Sequence, residues 1–541
     1  MSQQQRVLNK KLSQIFRING LTVRPDAMQP LYDVLEGEPE WESVLNQVLE
    51  QVQQQKLKGG CVGREAVETA LSSLAARKVQ GSTLPFEAVD AFALPPMRFD
   101  STRKALLPAE SAPLHADALA KAALFATRLA LVEQRVRRNE LFKPPVLAHG
   151  AAQKEFLQLT NIDALAGRSG TRVVLGMLTE LQEGTIFLED AHGYVPLDLT
   201  DAKSTTGLFT RHSIVLAEGE MTAAGVFRVS VLGLPPMEPR ALSIASLGGV
   251  DLLRPPAAAA EHASTVAGTD LHPAGAASAM VIVLSDVWLD QPSTLAQLEV
   301  LFGGYEAEGA KSVKCGKTPV PVASFFVFVL CGNFSSPAAA AANTRRAELT
   351  ALFRNLAAAA AKFPSIAQHS RWVLVPGPDD PCRAPADVLP RAPLSEVIAA
   401  DVLRALPHAE LLSSPARLVV CGQQVVIARE GLLAKMKRCV VVPPNVEAET
   451  SDLHKHLVKT LLDQAHLNPL PPTESAAYWK HDHALWLHPA PEVLVLADRG
   501  NQYDVEYEDT LAFNPGAFAT TFSWQVYFPS TRKAEVSSLS E

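Results

Sequence analysis

The sequence predicts a multidomain protein with α+β and α/β parts, and an α/β domain in its C-terminal half. Three apolar runs, residues 280–284, 325–330 and 371–375, are typical of strands buried on both faces. Each run leads into a polar loop, and helical patterns separate the runs. Because parallel strands present their carboxyl ends at one edge of a sheet, these loops predict a ligand crevice there. With 541 residues, 47% of them hydrophobic, the chain is long enough for several domains.

Composition excludes several classes of protein. The formal net charge of −8 disfavours a protein that grips long stretches of nucleic-acid backbone unaided. The six cysteines are scattered without a C-x-x-C pair, which disfavours a zinc ribbon and a disulfide framework and is typical of reduced intracellular thiols. No signal peptide and no membrane-spanning run is recognisable, so we expect neither secretion nor a membrane partner.

The N-terminal part is predicted to be helical. Residues 1–76 carry apolar residues at helical spacing, and we interpret them as a small helical domain, with a turn at residues 59–63. Residues 77–150 are interpreted as a turn-rich connector followed by a long helix over residues 116–139. The basic run Arg135–Arg138 at the end of that helix is interpreted as a solvated face rather than a phosphate contact.

Short strands dominate residues 151–253. Five segments rich in Val, Ile and Phe, parted by turn residues, predict a small β-barrel of the OB type. Because the strands carry few aromatic side chains and several acids, a protein-docking role is favoured over binding of single-stranded nucleic acid, which stays open as an alternative. Residues 254–279 are interpreted as an Ala/Pro-rich linker and are predicted to be a loop. The Ala-rich run after Ser336 is likewise predicted to be a loop. Residues 280–541 are interpreted as the α/β domain. The five segments are residues 172–178, 184–188, 194–199, 213–218 and 225–231.

The loops of the α/β domain follow a known order of motifs. The strands are followed by Ser285-Asp286, by Gly332-Asn333 and by Gly377-Pro378-Asp379. In order and spacing these loops resemble the D-x-H, G-D-x-x-D and G-N-H-[DE] motifs of calcineurin-like phosphoesterases. Such enzymes clamp a phosphate between two metal ions about 3.5–4 Å apart. The resemblance implies an α/β sandwich, and it places the former metal-site positions at Asp286, Trp288, Asn333, Ser336, Pro378, Asp379 and Asp498.

Most of the ligand types that this resemblance requires are replaced. The bridging carboxylate is the amide Asn333, Trp288 replaces a histidine, and the later single histidine falls near Ala428-Arg429. A neutral bridging amide without imidazole ligands cannot hold two divalent cations. The resemblance therefore implies an inactivated phosphoesterase domain with no catalytic residue, no metal and no cofactor.

Two alternatives concern metal binding. Four carboxylates at strand ends could hold Mg²⁺ through oxygen ligands alone, which would make the chain an active metallophosphoesterase or nuclease. The pairs His454/His456 and His481/His483 are interpreted as surface or packing histidines rather than metal ligands. The four carboxylates are Asp286, Asp379, Asp380 and Asp498.

Longer strings make the resemblance more specific. They include NELFKPPV at residues 139–146, VLSDVWLDQ at 283–291, HLNPLP at 466–471 and NPGAF at 514–518. In these strings and in their order the chain resembles the B subunits of the replicative DNA polymerases, and within them the epsilon branch. The corresponding subunits of polymerases alpha and delta are the alternatives, since they share the barrel and the phosphoesterase domain.

This second resemblance implies a role and a set of partners. The expected role is that of a nuclear, non-catalytic scaffold in DNA replication that holds the zinc-bearing C-terminal domain of the catalytic subunit. The N-terminal domain, which resembles the helical lid of AAA+ proteins, is expected to link the polymerase to the replicative helicase through the GINS complex. Histone-fold accessory subunits are further expected partners, and DNA is expected to be contacted mainly through the complex.

Overall fold

The computed structural model describes most of the residues that follow residue 83. Of the predicted N-terminal helical domain it describes only short pieces, so that prediction lies largely outside the described residues. Within those pieces, Thr22–Val23 and Cys61–Val62 pair as parallel strands, which corrects the predicted turn at residues 59–63. The described residues are 16–17, 22–24, 27–28, 61–64, 67, 84–100, 102–109, 113–143, 156–255, 273–315, 318–341, 346–382, 385, 387–444 and 450–539.

Two six-stranded sheets form the body of the α/β domain. In the first sheet the strand Met280–Leu284 lies at the centre, parallel to Phe326–Cys331 and antiparallel to Ser523–Phe528. This agrees with its unbroken apolar sequence, since both of its faces are covered. In order across the sheet the strands are Ala409–Leu411, Arg371–Val375, Phe326–Cys331, Met280–Leu284, Ser523–Phe528 and Lys533–Ser538.

The second sheet faces the first across a shared apolar core. Val281 and Val329 from the first sheet meet Leu418, Ile427 and Val495 from the second. The order of strands in the second sheet is Tyr503–Tyr507, Thr510–Asn514, Val493–Ala497, Gln423–Arg429, Ala416–Val420 and Phe86–Asp90.

Helices cover the outer faces of both sheets, which gives a four-layer sandwich. Ile282 and Phe328 pack beneath the helices of the first sheet, and Val426 and Leu494 beneath those of the second. The helices beside the first sheet are Pro292–Gly309, Pro337–Ala341, Arg346–Ala361, Pro364–His369, Ala400–Ala405 and Phe518–Thr521. Those beside the second are Leu432–Cys439, Leu453–Asp463 and the 3-10 segment Trp479–Leu485.

Two local predictions in this domain are wrong. The apolar sequence of residues 418–427 predicts a strand over that whole run, but the run forms two antiparallel strands. They are joined at Cys421-Gly422, whose φ values are 51° and 76°. The Ala-rich run Pro337–Ala341, predicted as a loop, is a short helix. Ser336 Oγ accepts a hydrogen bond from the backbone N–H of Ala339 at 3.3 Å, as an N-cap residue does.

Part of the predicted connector belongs to the sandwich. Phe86–Asp90 pairs antiparallel with Ala416–Val420 and forms the edge of the second sheet. The polypeptide therefore enters the α/β body before it builds the barrel, and returns to the body afterwards. Between Phe86–Asp90 and the barrel lie the hairpin of Met97–Asp100 with Ala105–Pro108 and the long helix Ala118–Arg138.

The long helix forms as predicted, but of its basic end only Arg137 lies on a solvated face. Asp117 caps its N-terminus by accepting a hydrogen bond from Ala120 N at 3.0 Å. At the other end Arg135 is buried and donates to the carbonyls of Asp463 and Pro236, while Arg138 pairs with Glu238. These arginines fasten the helix to the rest of the molecule.

The predicted OB-type barrel is present. Its strands close on themselves because Phe227–Gly233 pairs with both Tyr194–Asp198 and Ile214–Met221. Val174, Leu188 and Phe227 are among the side chains that fill the interior. The strands are Arg172–Gln182, Thr185–Glu189, Tyr194–Asp198, Lys203–Ser204, Ile214–Met221 and Phe227–Gly233.

The remaining elements are short. They are the 3-10 helices Ile162–Leu165 and Val322–Phe325, the helices Arg240–Ser246 and Pro273–Ser278, and three strand pairs. The helix Pro273–Ser278 lies at the end of residues 254–279, which the sequence predicts to be a loop, so that prediction is wrong there. The pairs are Phe209–Thr210 with Val440–Val442, Ser312–Cys315 with Thr318–Pro321, and Val388–Leu389 with Ala476–Ala477. Among the described residues, no helix combines the length and apolar character needed to span a membrane.

The barrel and the sandwich meet along one helix, Leu453–Asp463, which we call the seam helix. Side chains from it and from the residue just after it bind the barrel backbone. His456 Nδ1 accepts from Gly207 N at 2.9 Å, and Thr460 Oγ1 accepts from Leu208 N at 2.8 Å. Gln464 accepts from Ile214 N and donates to Ile214 O, each at 2.7 Å. The spacing of four residues places all three side chains on one helix face.

Candidate functional site

Three loops meet at the carboxyl ends of the strands Met280–Leu284, Phe326–Cys331 and Arg371–Val375, as the sequence predicts. Their approach requires glycine at two positions. A Cβ atom on Gly332 would lie 1.8 Å from Asp380 Oδ2, and one on Gly377 would lie 2.1 Å from Asn333 Oδ1. The glycines of the degenerate motifs therefore have a steric role that does not depend on a metal.

Asp286 lies at the centre of this crevice and is fully buried. Arg429 Nη2 donates to its Oδ2 at 2.7 Å, and Arg499 Nε donates to its Oδ1 at 3.1 Å. Trp288 Nε1 is also close, at 3.4 Å from Oδ1. The positive charge beside this carboxylate therefore comes from two guanidinium groups of the same polypeptide.

Arg429 is itself buried and ties several elements together. Its Nε donates to the carbonyl of Gly332, and its Nη1 donates to the carbonyl of Ala497 at 3.3 Å. Its backbone N–H donates to Ser414 Oγ at 3.0 Å. The planar guanidinium supplies several donors in fixed directions, which suits this convergent set of acceptors.

Asn333 and Asp379 form a second link between the loops. Asn333 Nδ2 donates to Asp379 Oδ2 at 2.7 Å, and Asp379 N donates to Asn333 Oδ1 at 3.0 Å. Arg499 Nη2 donates to the same Asp379 Oδ2 at 3.1 Å. Arg499 is 42% exposed, so it closes the crevice towards solvent.

Asp380, one of the four carboxylates considered as magnesium ligands, is buried and binds backbone groups. Its oxygens accept from Phe334 N and Gly377 N, both at 2.8 Å. Burial raises the pKa of Asp380 to about 6, although these hydrogen bonds and the nearby arginines oppose that rise. Its carboxylate holds two loops together.

The other predicted positions also hold loops in place. Ser336 donates from Oγ to Asp290 Oδ2 at 2.6 Å and from its backbone N–H to Asp290 Oδ1 at 2.7 Å. Asp498 Oδ1 accepts from Gly500 N at 2.6 Å and Asn514 Nδ2 at 2.7 Å, and burial raises the pKa of this carboxyl. Pro378 lies between Gly377 and Asp379 in the third loop.

The donor set does not fit a two-metal centre. Asp286 and Asp379 are bound to arginine, while Asp380 and Asp498 accept from backbone N–H groups. In the part of the chain that the structure describes, no group of three or more His, Cys, Asp or Glu side chains is arranged to hold a metal ion. A cation at Asp286 would have to displace both guanidinium groups.

Asp286, Asn333 and Asp379 lie together at the strand ends, as the order of the loops predicts, but the sequence did not predict the contacts of Arg429 and Arg499. A signal was available for Arg429, because it falls near the position at which the phosphoesterase pattern requires a single histidine ligand. An arginine at such a position supplies a fixed positive charge and cannot coordinate a metal.

The histidine pairs have packing roles. His456 bonds the barrel, and its neighbour His454 stacks on Tyr503 with ring centroids 4.2 Å apart. Asp482, between His481 and His483, forms a bidentate pair with Arg128 of the long helix, with Arg128 Nη2 and Nε at 2.5 and 3.1 Å from its oxygens. This motif fastens the long helix to the sandwich.

Three family models match the chain. One, which describes the B subunit of DNA polymerases alpha and epsilon, matches residues 281–505. A second, described as the OB-fold domain of DNA polymerase epsilon subunit 2-like proteins, matches residues 118–236 and confirms the predicted OB fold. A third, described as DNA polymerases epsilon N terminal, matches residues 4–74.

Relatives match over nearly the whole length. DNA polymerase epsilon subunit 2 of Mus musculus is 35% identical over 98% of this chain and 98% of its own length. The protein of the same name from Homo sapiens is 35% identical over 99% of both chains. The DNA polymerase epsilon B subunit of Arabidopsis thaliana is 32% identical over 98% of both. The chain therefore belongs to the family of DNA polymerase epsilon subunit 2, also called the B subunit, an accessory subunit of that polymerase.

Proposed function

We propose that this accessory subunit acts as a scaffold and that its phosphoesterase-like domain has no hydrolase activity. The observation that carries the proposal is the double ion pair of Asp286 with Arg429 and Arg499. Two-metal hydrolysis requires cations that polarise the phosphate and activate water. Guanidinium groups can bind a phosphate, but they cannot generate a metal-bound hydroxide.

The buried arginine is difficult to exchange for a metal. Arg429 is held by two carbonyls besides Asp286, and its side chain is only 3% exposed. Removing it would also leave Asn333, a neutral amide, where two metals need a shared carboxylate. These contacts support a domain that keeps the shape of a hydrolase without its chemistry.

The barrel and the sandwich are joined through the seam helix, and the surface of two domains held in a fixed position supports a scaffold role. We propose that this surface holds the zinc-bearing C-terminal domain of the polymerase epsilon catalytic subunit, and that the N-terminal domain links the polymerase to the replicative helicase through GINS. Histone-fold subunits complete the proposed assembly, which acts in the nucleus and contacts DNA mainly through its other subunits. The seam helix and the buried Arg135 fix the relative position of the two domains.

The first experiment measures hydrolysis of bis(p-nitrophenyl) phosphate by the purified full-length protein with added Mn²⁺. We expect the wild-type protein and an Asp286→Ala variant to show the same background rate. Hydrolysis above background that disappears in Asp286→Ala would contradict the inactivation.

The second experiment tests the scaffold role. The full-length protein is co-expressed in turn with the C-terminal region of the epsilon, alpha and delta catalytic subunits. We expect a stable complex with the epsilon subunit only. Recovery with the alpha or delta subunit instead, or with none of them, would contradict the proposal.

A further inference from the structure

A cavity of about 160 Å³ lies away from the crevice, between the second sheet and the segment that follows the barrel. The helix Arg240–Ser246 and residues 250–253 form one wall, and Arg417, His483 and Trp486 form the other. Ile244 and Leu247 give the first wall an apolar surface. A cavity of roughly 150 Å³ holds a molecule the size of benzene, so this one accommodates a single side chain.

Arg417 is a buried cation without an anion. It is 5% exposed, and its Nη2 donates to the carbonyls of Ala484 at 3.1 Å and Trp486 at 2.5 Å. Among the described residues no carboxylate forms an ion pair with it. Because a buried charge without a counter-charge is unfavourable, this arginine is a candidate receptor for a negatively charged group.

The other charged groups of the walls already have partners. Arg240 Nε lies 2.7 Å from Glu492 Oε1, and Asp251 Oδ2 lies 2.8 Å from Arg254 Nη1. Arg254 also pairs with Glu87, so the two carboxylates share one guanidinium group, and neither of them is paired with Arg417. Among the described charged residues of the lining, Arg417 is therefore the one without an ion-pair partner.

Two histidines add neutral polar groups. Burial lowers the pKa of His483 and of His488 to about 4, so both are uncharged at neutral pH. The buried Nε2 of His483 has no hydrogen-bond partner in the described part of the chain. Neither imidazole therefore adds a charge beside Arg417.

We propose that this cavity, which we call the Arg417 cavity, receives the carboxylate side chain of an aspartate or glutamate from a partner polypeptide. The carboxylate pairs with Arg417, and apolar residues beside it in the partner sequence pack on Ile244 and Leu247. Ile244 is 50% exposed at the rim, so the apolar surface continues outside the cavity, where a polypeptide extends beyond its anchoring side chain. The site is independent of the crevice around Asp286.

The test uses two blocked peptides and the full-length protein with ¹³C-labelled Ile and Leu methyl groups. The probes are Ac-Leu-Glu-Leu-NH₂ and its uncharged match Ac-Leu-Gln-Leu-NH₂, titrated to millimolar concentration. We expect the methyl signals of Ile244 and Leu247 to shift, with affinity about tenfold higher for the glutamyl peptide, equivalent to about 1.4 kcal/mol. Equal affinity for the two peptides, or no shift with the glutamyl peptide, would overturn the proposal.

Variants separate the charge from the apolar wall. Arg417→Met is expected to remove the preference for the glutamyl peptide, and a preference kept by a folded Arg417→Met variant contradicts the proposal. If Arg417→Met does not fold, Ile244→Ser is tested instead, because the half-exposed Ile244 side chain can be replaced without disturbing the fold. Ile244→Ser should weaken binding of both peptides. The matched control is Leu242→Ser, on the same helix and 55% exposed but outside the cavity lining, which should leave both affinities unchanged. Equal effects of the two serine variants also overturn the proposal.

Discussion

Two buried polar clusters of this molecule solve similar problems in different ways. At the crevice, loops from three strands are held by charged groups, chiefly Asp286 with Arg429 and Arg499. At the seam, the barrel backbone is held by the uncharged side chains of His456, Thr460 and Gln464, which all satisfy backbone groups directly.

The difference follows from what each cluster has to neutralise. A fully buried carboxylate such as Asp286 requires a positive charge beside it, and arginine supplies that charge within the same polypeptide. The seam faces neutral backbone groups, so neutral side chains suffice there. We therefore expect a single substitution to lower the free energy of unfolding more at the buried ion pair than at the seam. An unpaired buried charge is more destabilising than a lost hydrogen bond.

The largest effect is expected from Arg429→Met. This change leaves the buried Asp286 with the partly exposed Arg499 as its positively charged partner, and it frees two carbonyls. We expect the free energy of unfolding to fall by about 3 kcal/mol, measured by urea denaturation. The matched control is Arg354→Met, whose 66% exposed side chain pairs with Asp401 at the surface and should matter little. Equal losses in the two variants would contradict the comparison.

At the seam, Gln464→Met is expected to have a smaller effect. Methionine has a similar shape but leaves the N–H and C=O of Ile214 without partners. We expect a loss of about 2 kcal/mol in the same denaturation measurement. A loss larger than that of Arg429→Met would reverse the ranking of the two clusters.

The barrel residue His212, which packs on Phe125 of the long helix, should give a pH-dependent stability. Burial, aided by Arg128, Lys121 and Arg211, lowers the pKa of His212 from 6.5 to about 4. The unfolded chain therefore binds a proton below pH 6.5 that the folded chain does not, so stability is present above that range and is lost as the pH falls towards 4.

Replacing His212 by Asn should remove part of this dependence. Asparagine tolerates the φ of 71° at this position. Between pH 7 and pH 5 we expect the variant to lose about 1–2 kcal/mol less than the wild type in thermal or urea denaturation. Parallel pH profiles for the two proteins would show that this imidazole is not responsible.

The smallest effect is expected from Arg499→Gln. Its side chain is 42% exposed, and Asp286 keeps Arg429 after the change. Partly exposed ion pairs contribute little, so we expect a loss of about 1 kcal/mol or less that shrinks further as salt is added. If Arg499→Gln lowered the free energy of unfolding as much as Arg429→Met, the difference in exposure between the two arginines would not determine their contribution to stability.

The sequence was most informative where a structural cause is local. The strand Met280–Leu284 is predicted at its observed bounds because burial on both faces leaves a continuous apolar run. Asp286 and Asn333 come together as predicted, because parallel strands end at one edge of a sheet. The helix Pro337–Ala341 could also have been predicted, since Ser336 is a good N-cap and Pro337 follows at the first helical position.

Prediction failed where the cause is distant in sequence. The pairing of Arg429 with Asp286 spans 143 residues, and that of Arg499 with Asp286 spans 213. The strand Phe86–Asp90 joins the second sheet through Ala416–Val420, on the far side of the barrel in sequence order. No local pattern identifies such partners. The burial of Arg135 is a similar case, because a basic run at a helix end is usually solvated.

The place of Met280–Leu284 between Phe326–Cys331 and Ser523–Phe528 has a consequence for biosynthesis. The ribosome makes this strand long before Ser523–Phe528, so one of its edges stays without a neighbour while the intervening polypeptide is translated. An uncovered, wholly apolar strand edge invites intermolecular association. Nascent copies of this protein should therefore need chaperone protection until Ser523–Phe528 has left the exit tunnel.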